Sequence, residues 1–152
     1  MPLDLAIDDG VKLPATLRTR LRREVARMVK AAALHEGRAD LEVALRLCDD
    51  AAIHELNRDY RGKNKPTDVL AFAQREAATA DSALLGDIVI SVETAKRQAK
   101  KGLYAELLHL ASHGLCHLLG YDHRDDKEER EMNARAAALR KEAARTGRVR
   151  AA

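Results

Sequence analysis

Apolar and polar residues alternate over residues 3–8, Leu-Asp-Leu-Ala-Ile-Asp, in the manner of a half-buried strand. From Pro14 the period lengthens. Leu17, Leu21, Val25, Met28 and Ala32 recur at spacings of three and four, the stripe of an amphipathic helix, and Gly37 is its expected stop. Alternation returns over residues 41–48, where Leu41, Val43, Leu45 and Leu47 share one face. Asp49 or Asp50 can cap a short helix reaching about Tyr60. Residues 62–66 read as a polar loop. Residues 69–72 and 87–91 read as short strands, the second introduced by Gly86. From Val92 onward the pattern is helical, with breaks at Gly102, at Gly120 and over residues 122–127.

Early strands mixed with helices, followed by a run of helices, predict the α+β class. The expectation is one domain over residues 1–146. It has a small mixed four-stranded sheet packed with about five helices, and a basic tail over residues 147–152 expected to be disordered. No repeat and no Pro-, Gly- or Ser-rich linker divides the chain. At 152 residues the chain is long enough to bury a sizeable core without staples.

Composition narrows the partners. Apolar residues make up 46%, which excludes a disordered chain. Aromatic residues make up only 3%, with no Trp, which argues against binding single strands by aromatic stacking. Cys48 and Cys116 each sit in an apolar stretch and read as small buried residues of a reducing compartment. No signal peptide and no apolar run long enough to cross a membrane is visible, so a cytoplasmic address is expected and no membrane partner. The formal charge of +3 is a mild lean towards polyanions. Its distribution is more telling. Residues 18–30 carry Arg18, Arg20, Arg22, Arg23, Arg27 and Lys30 against Glu24 alone. From 134 onward, Arg135, Arg140, Lys141, Arg145, Arg148 and Arg150 face Glu142. Such runs fit either a solvated helix face or an RNA footprint.

The chemistry is concentrated in His113-Gly-Leu-Cys-His117-Leu-Leu-Gly120-Tyr-Asp-His123. On a helix turning roughly 100° per residue, Leu107, Leu108, Leu110, Ala111, Leu115, Leu118 and Leu119 cover one broad arc. His109, His113 and His117 fall on the remaining stripe. His113 and His117 are one turn apart, so both imidazoles can face one ion. Gly120 can reverse the chain and return His123 towards them. Three neutral imidazoles with one position open are what a catalytic zinc needs, because its bound water then has a pKa of about 7. One Zn2+ per chain is therefore expected, held by His113, His117 and His123 on a long helix and the turn after it. His109 could be a fourth ligand, but a place lining the cleft is the simpler reading. Asp122 could orient a ligand histidine or cap the next helix. Cys116 projects away from the histidines and reads as packing. His35 and His54 read as surface residues.

The spacing also matches metzincin peptidases, in which a glutamate general base follows the first histidine. Here that position is Gly114, which has no acid-base chemistry and costs about 1 kcal/mol in a helix unless another element packs closely there. A base from elsewhere, such as Glu106, stays open.

The same segment resembles the signature of the YbeY family of bacterial rRNA maturation factors. Leu56-Asn-Arg-Asp-Tyr-Arg61, Pro66-Thr-Asp-Val-Leu-Ala-Phe72 and Gly86-Asp-Ile-Val-Ile-Ser91 resemble further blocks of that family, in order, over about residues 56 to 123. Cys116 stands where the family more often has Leu, and Ala71 and Ala73 where Ser and Pro are common. The resemblance implies a zinc endoribonuclease acting on single-stranded RNA, with roles in 16S rRNA 3′-end maturation and ribosome quality control, and partners among ribosomal components. It makes Arg61 the candidate catalytic cation, a guanidinium that can hold a phosphodiester oxygen. From the residues alone, Arg61 reads as a surface arginine at a helix end. Two alternatives stand beside the nuclease: a zinc-stabilised RNA- or ribosome-binding factor without turnover, and a peptidase lacking the usual glutamate.

Overall fold

A computed structural model describes residues 2–38, 40–74, 83–122 and 124–149, with side chains as far as Ala144. In chain order the elements are β1 (Leu3–Ile7), α1 (Ala15–His35), β2 (Glu42–Cys48), α2 (Asp50–Arg61), β3 (Val69–Ala73), β4 (Leu84–Ser91), α3 (Val92–Gln98), α4 (Leu103–Leu118) and α5 (Asp126–Val149). The four strands form one mixed sheet in the order β1-β2-β4-β3. β1, β2 and β4 run parallel, and β3 pairs antiparallel with β4. The α+β expectation therefore holds, with a four-stranded mixed sheet and five helices among the described residues.

The register explains which face carries the core. Leu3, Val43, Gly86 and Ala73 lie in one row across the sheet, Leu5, Leu45, Ile88 and Ala71 in the next, and Ile7, Leu47, Ile90 and Val69 in the third. Side chains alternate between faces along each strand, so these rows all point one way. They pack with Leu21, Val25 and Met28 of α1, Leu107, Ala111, Leu115 and Leu118 of α4, and Met132, Ala136 and Leu139 of α5. The stripe expected on the first helix is the one buried, with Leu17 partly buried at its end. On the opposite face a smaller cluster forms where Cys48 of β2, Leu70 of β3 and Val89 of β4 meet Ile53 of α2.

α4 lies against α1, α3, α5, β3 and β4. It is accordingly buried around most of its girth, Ser112, Gly114 and Cys116 included. What stays accessible on its later turns is the histidine stripe. Among the described residues, no helix is long and apolar enough to cross a membrane.

Helix ends follow the local chemistry. Asp49, rather than Asp50, caps α2, its carboxylate accepting from the Ala52 N–H at 2.9 Å. Asp125, not Asp122, does this for α5, accepting from the Glu128 N–H at 2.8 Å. α5 runs to Val149, so residues 147–149 of the expected tail continue the helix; residues 150–152 lie outside the described residues. β4 begins at Leu84, three residues earlier than the pattern suggested, because Gly86 stands inside the ladder rather than before it.

Asp50 instead ties two helix starts together. Its Oδ1 accepts from Ser91 Oγ and Thr94 Oγ1, both at 2.6 Å, and its Oδ2 pairs with Arg97 Nη2 at 2.8 Å. Burial alone would raise its pKa. The bonds from Ser91, Thr94 and Arg97 outweigh that and hold the carboxyl below the ordinary carboxylate range. A depressed folded-state pKa gives stability that is present above the unfolded value, about 3.9, and lost as pH falls through the lower folded one. Asp50→Asn is expected to lose about 1–2 kcal/mol at neutral pH, and the gap to wild type should close below pH ~4. Denaturant unfolding at a series of pH values reads this directly; a gap constant with pH would contradict it.

Candidate active site

The histidine stripe of α4 forms one wall of a cleft of ≈650 Å³. His109 is exposed at its mouth, while His113 and His117 are half-buried. The rings of His109 and His113 lie 4.3 Å apart between centroids, tilted by 50°. His109 thus lines the cleft. The facing wall comes from Thr67, Asp68 and Val69 at the start of β3, continuing through Ala71 and Ala73. Arg61, at the end of α2, reaches the same space, and its Nη2 donates to the Ala71 carbonyl at 3.2 Å. Both readings of Arg61 have their geometry here, since it also stands in the last turn of its helix, where a cation suits the dipole.

Gly114 lines the cleft with its backbone, and the side-chain direction at this position points at Ile88 of β4. A Cβ there would sit 2.7 Å from Ile88 Cγ2, with the other branches of Ile88 at 3.2 and 3.3 Å. The close approach that would make a mid-helix glycine acceptable is present. A side chain at this position would have to push the Ile88 side chain aside, so a glutamate in the metzincin position would be crowded. Glu106, the other candidate base, stands apart from the cleft lining. It accepts from Gln98 Nε2 at 2.8 Å.

After α4 the chain turns at Gly120, whose φ of +105° is a conformation side chains resist. The turn brings Tyr121 and Asp122 into the cleft lining. His123, the expected third metal ligand, lies outside the described residues. Among the described residues, no three His, Cys, Asp or Glu side chains are gathered so as to hold an ion. Asp122 lies 3.5 Å from Arg124 Nε.

The electrostatics favour neutral imidazole. Burial, then the neighbouring His109, Arg140 and His117, push the pKa of His113 down to about 4, against the opposing pull of Asp68. Neutral imidazole is the form that ligates a metal. Arg140 belongs to α5 and is itself half-buried. Its Nη1 donates to Ser112 Oγ at 2.7 Å, and Ser112 Oγ donates to the His109 carbonyl, also at 2.7 Å. The guanidinium thereby props the turn of α4 that carries His109 and His113.

Asp68 escaped sequence reasoning. Its Oδ1 accepts from the Val69 N–H at 2.7 Å and its Oδ2 from Gln98 Nε2 at 2.9 Å. A carboxylate fixed opposite the histidines could be suspected from the Thr67-Asp68 pair in the loop before a strand, but nothing in spacing ties it to α4. Cys116 is fully buried and its thiol is pushed up to about 11 by burial, as the packing reading requires. His54 Nε2 meets Asn64 Oδ1 at 2.8 Å and His35 meets Glu142 at 3.2 Å, both away from the cleft.

The profile of the family Endoribonuclease YbeY matches residues 10–144. A protein named Endoribonuclease YbeY from Moorella thermoacetica is 50% identical over 125 residues, 74% of this chain and 80% of its own length. One of the same name from Desulfitobacterium hafniense is 45% identical over 122 residues, 74% of this chain and 78% of its own. A third, from a Synechococcus species, is 45% identical over 145 residues, 91% of this chain and 86% of its own. A solution structure of a Thermotoga maritima protein superposes with a TM-score of 0.62 at 27% identity, covering 97% of this chain and 93% of the other. With the matched profile spanning the whole α4 cleft and both walls that face it, the chain belongs to the YbeY endoribonuclease family.

Proposed function

We propose that this protein is a single-strand-specific endoribonuclease that uses one zinc ion per chain. Its task is 16S rRNA 3′-end maturation and ribosome quality control, in the cytoplasm and among ribosomal components. The observation that carries the reading is a single cleft joining the imidazoles of His113 and His117 to the guanidinium of Arg61, in a chain whose relatives are named endoribonucleases.

The donor set fits zinc. His113 and His117 stand one turn apart facing the cleft, and His113 is held neutral at physiological pH. His123 is the third ligand by the family resemblance. When bound, zinc supplies Lewis acidity to a phosphodiester oxygen or acidity to water. The chain's own residues do the rest. A phosphodiester under attack gathers charge on its non-bridging oxygens, and Arg61, which lines the cleft, is the residue proposed to hold one of them. Its bond to the Ala71 carbonyl uses one of five N–H donors and fixes the fork. Asp68, clamped by Val69 and Gln98, keeps a fixed acceptor opposite the imidazoles.

The peptidase reading loses its support because Gly114 abuts Ile88 and Glu106 is turned to Gln98. The binding factor without turnover is separated by Arg61→Ala. The expected result is turnover of a labelled single-stranded RNA about a hundredfold lower, with RNA affinity little changed. If wild type and Arg61→Ala bind RNA alike and neither cleaves it, the nuclease proposal is wrong.

A further inference from the structure

We infer that the protein has a second RNA-gripping surface outside the cleft, formed by α1 and the α3–α4 connection, which holds the phosphate backbone flanking the segment being cleaved. The inference rests on the reading of the protein as an RNA-cleaving enzyme. At roughly 100° per residue, Arg20, Arg23, Arg27 and Lys30 fall within about 80° of one another on α1. Arg18 and Arg22 do not. Arg20, Arg23 and Lys30 are exposed and Arg27 is half-buried. Like charges at spacings of three and four repel and weaken a helix. A fold gains nothing by stacking four of them along one stripe.

The nearest acid does not relieve this. Glu24, the one carboxylate within residues 18–30, is turned inward with its side chain 12% exposed. Its Oε1 accepts from Arg20 Nε at 2.9 Å and from the Tyr104 hydroxyl at 2.7 Å. Arg20 also lies over the Tyr104 ring, 4.1 Å from its centroid. Glu24 is thus consumed in joining α1 to the first turn of α4. Among the described residues, Arg23, Arg27 and Lys30 take part in none of the ion pairs.

Tyr104 sets the direction of the surface. Three residues before it stands Lys101, preceded by Lys100, both exposed in the connection between α3 and α4. Two residues before Lys100, Gln98 donates to Asp68, which lines the cleft. The connection therefore leaves α3 beside Gln98, which holds a residue of the cleft lining, and enters the turn of α4 that Glu24 ties to α1. Cations thus lead from α1 by Lys101 and Lys100 towards the cleft wall that carries Asp68. Few rings accompany them, so the grip is on phosphate rather than on bases.

The test compares wild type with the variant Arg23→Gln, Lys30→Gln, Lys100→Gln and Lys101→Gln. Two probes are used: a single-stranded oligoribonucleotide just long enough to fill the cleft, and a longer one extending from it. Wild type is expected to bind the longer RNA more tightly. The variant should lose at least about tenfold of that affinity, and its log affinity against log salt should flatten by about 0.7 for each phosphate contact removed. Binding and cleavage of the short RNA should not change. A companion variant Lys30→Arg, Lys100→Arg and Lys101→Arg should retain the long-RNA affinity. The inference is overturned if the glutamine variant binds long RNA with wild-type affinity and salt slope, or loses the short RNA equally. Binding of anionic phospholipid vesicles without any preference for long RNA overturns it too. A protein that shows the length-dependent grip yet cleaves neither RNA keeps the surface and overturns the nuclease reading instead.

Discussion

His117→Ala is expected to abolish RNA cleavage, at least about a thousandfold, because it removes one of the imidazoles proposed to hold the metal. Zinc measured on the purified variant should fall from about one per chain to well below half, since two remaining imidazoles make a poor zinc site. The thermal transition of the variant should stay near that of metal-free wild type. His117 is half-buried on the cleft wall, and Leu107, Leu115 and Leu118, which anchor α4 in the core, are not part of that wall. Wild type stripped by a chelator should match the variant, and added zinc should restore only the wild type. A variant that keeps both zinc and turnover would sink the metal assignment. A variant that keeps zinc but loses turnover would move His117 from ligand to proton carrier.

Gly86→Ala is expected to be strongly destabilising. A Cβ there would meet the Phe72 carbonyl oxygen at 2.3 Å, Leu118 Cδ2 at 2.7 Å and Ala73 Cα at 3.1 Å. Two of these are backbone atoms of the neighbouring strand, held in the β3–β4 ladder. They cannot turn aside as a side chain can, so either the ladder opens or α4 lifts from it. Gly86 also has a φ of +153°, which side chains rarely adopt. Overpacking and backbone strain together put the loss at about 3 kcal/mol or more. Because Ala71 and Ala73 line the cleft, the soluble fraction of such a variant should also show weakened RNA turnover. Denaturant unfolding with a change under about 1 kcal/mol would show the approach at Gly86 to be looser than described. Gly114 is the milder case, since its neighbour is the Ile88 side chain alone.

Much of this architecture is legible in the residues because it is local. The alternation over residues 41–48 is that of a strand with one buried face, and Val43, Leu45 and Leu47 do face the core. The spacing of Leu21, Val25, Met28 and Ala32 is that of a helix, and these positions are buried. His113 and His117 share a face because four residues make about one turn, whatever surrounds them. Family membership was legible for a related reason: its blocks are contiguous stretches, each tied to one turn or strand.

Other features depend on contacts between distant segments. Sheet order β1-β2-β4-β3 brings β3 and α2 beside α4, and with them Asp68 and Arg61. No periodicity encodes that adjacency. Gly86 reads as the residue that introduces a strand until α4 is seen lying across it, where hydrogen is all that fits. The basic run of α1 looks like any solvated face until Tyr104 is found holding its one acid. Periodicity is set by backbone geometry within a few residues, so it survives in the sequence. The cleft and the cationic surface are set by which elements the buried core draws together, and only the folded chain decides that.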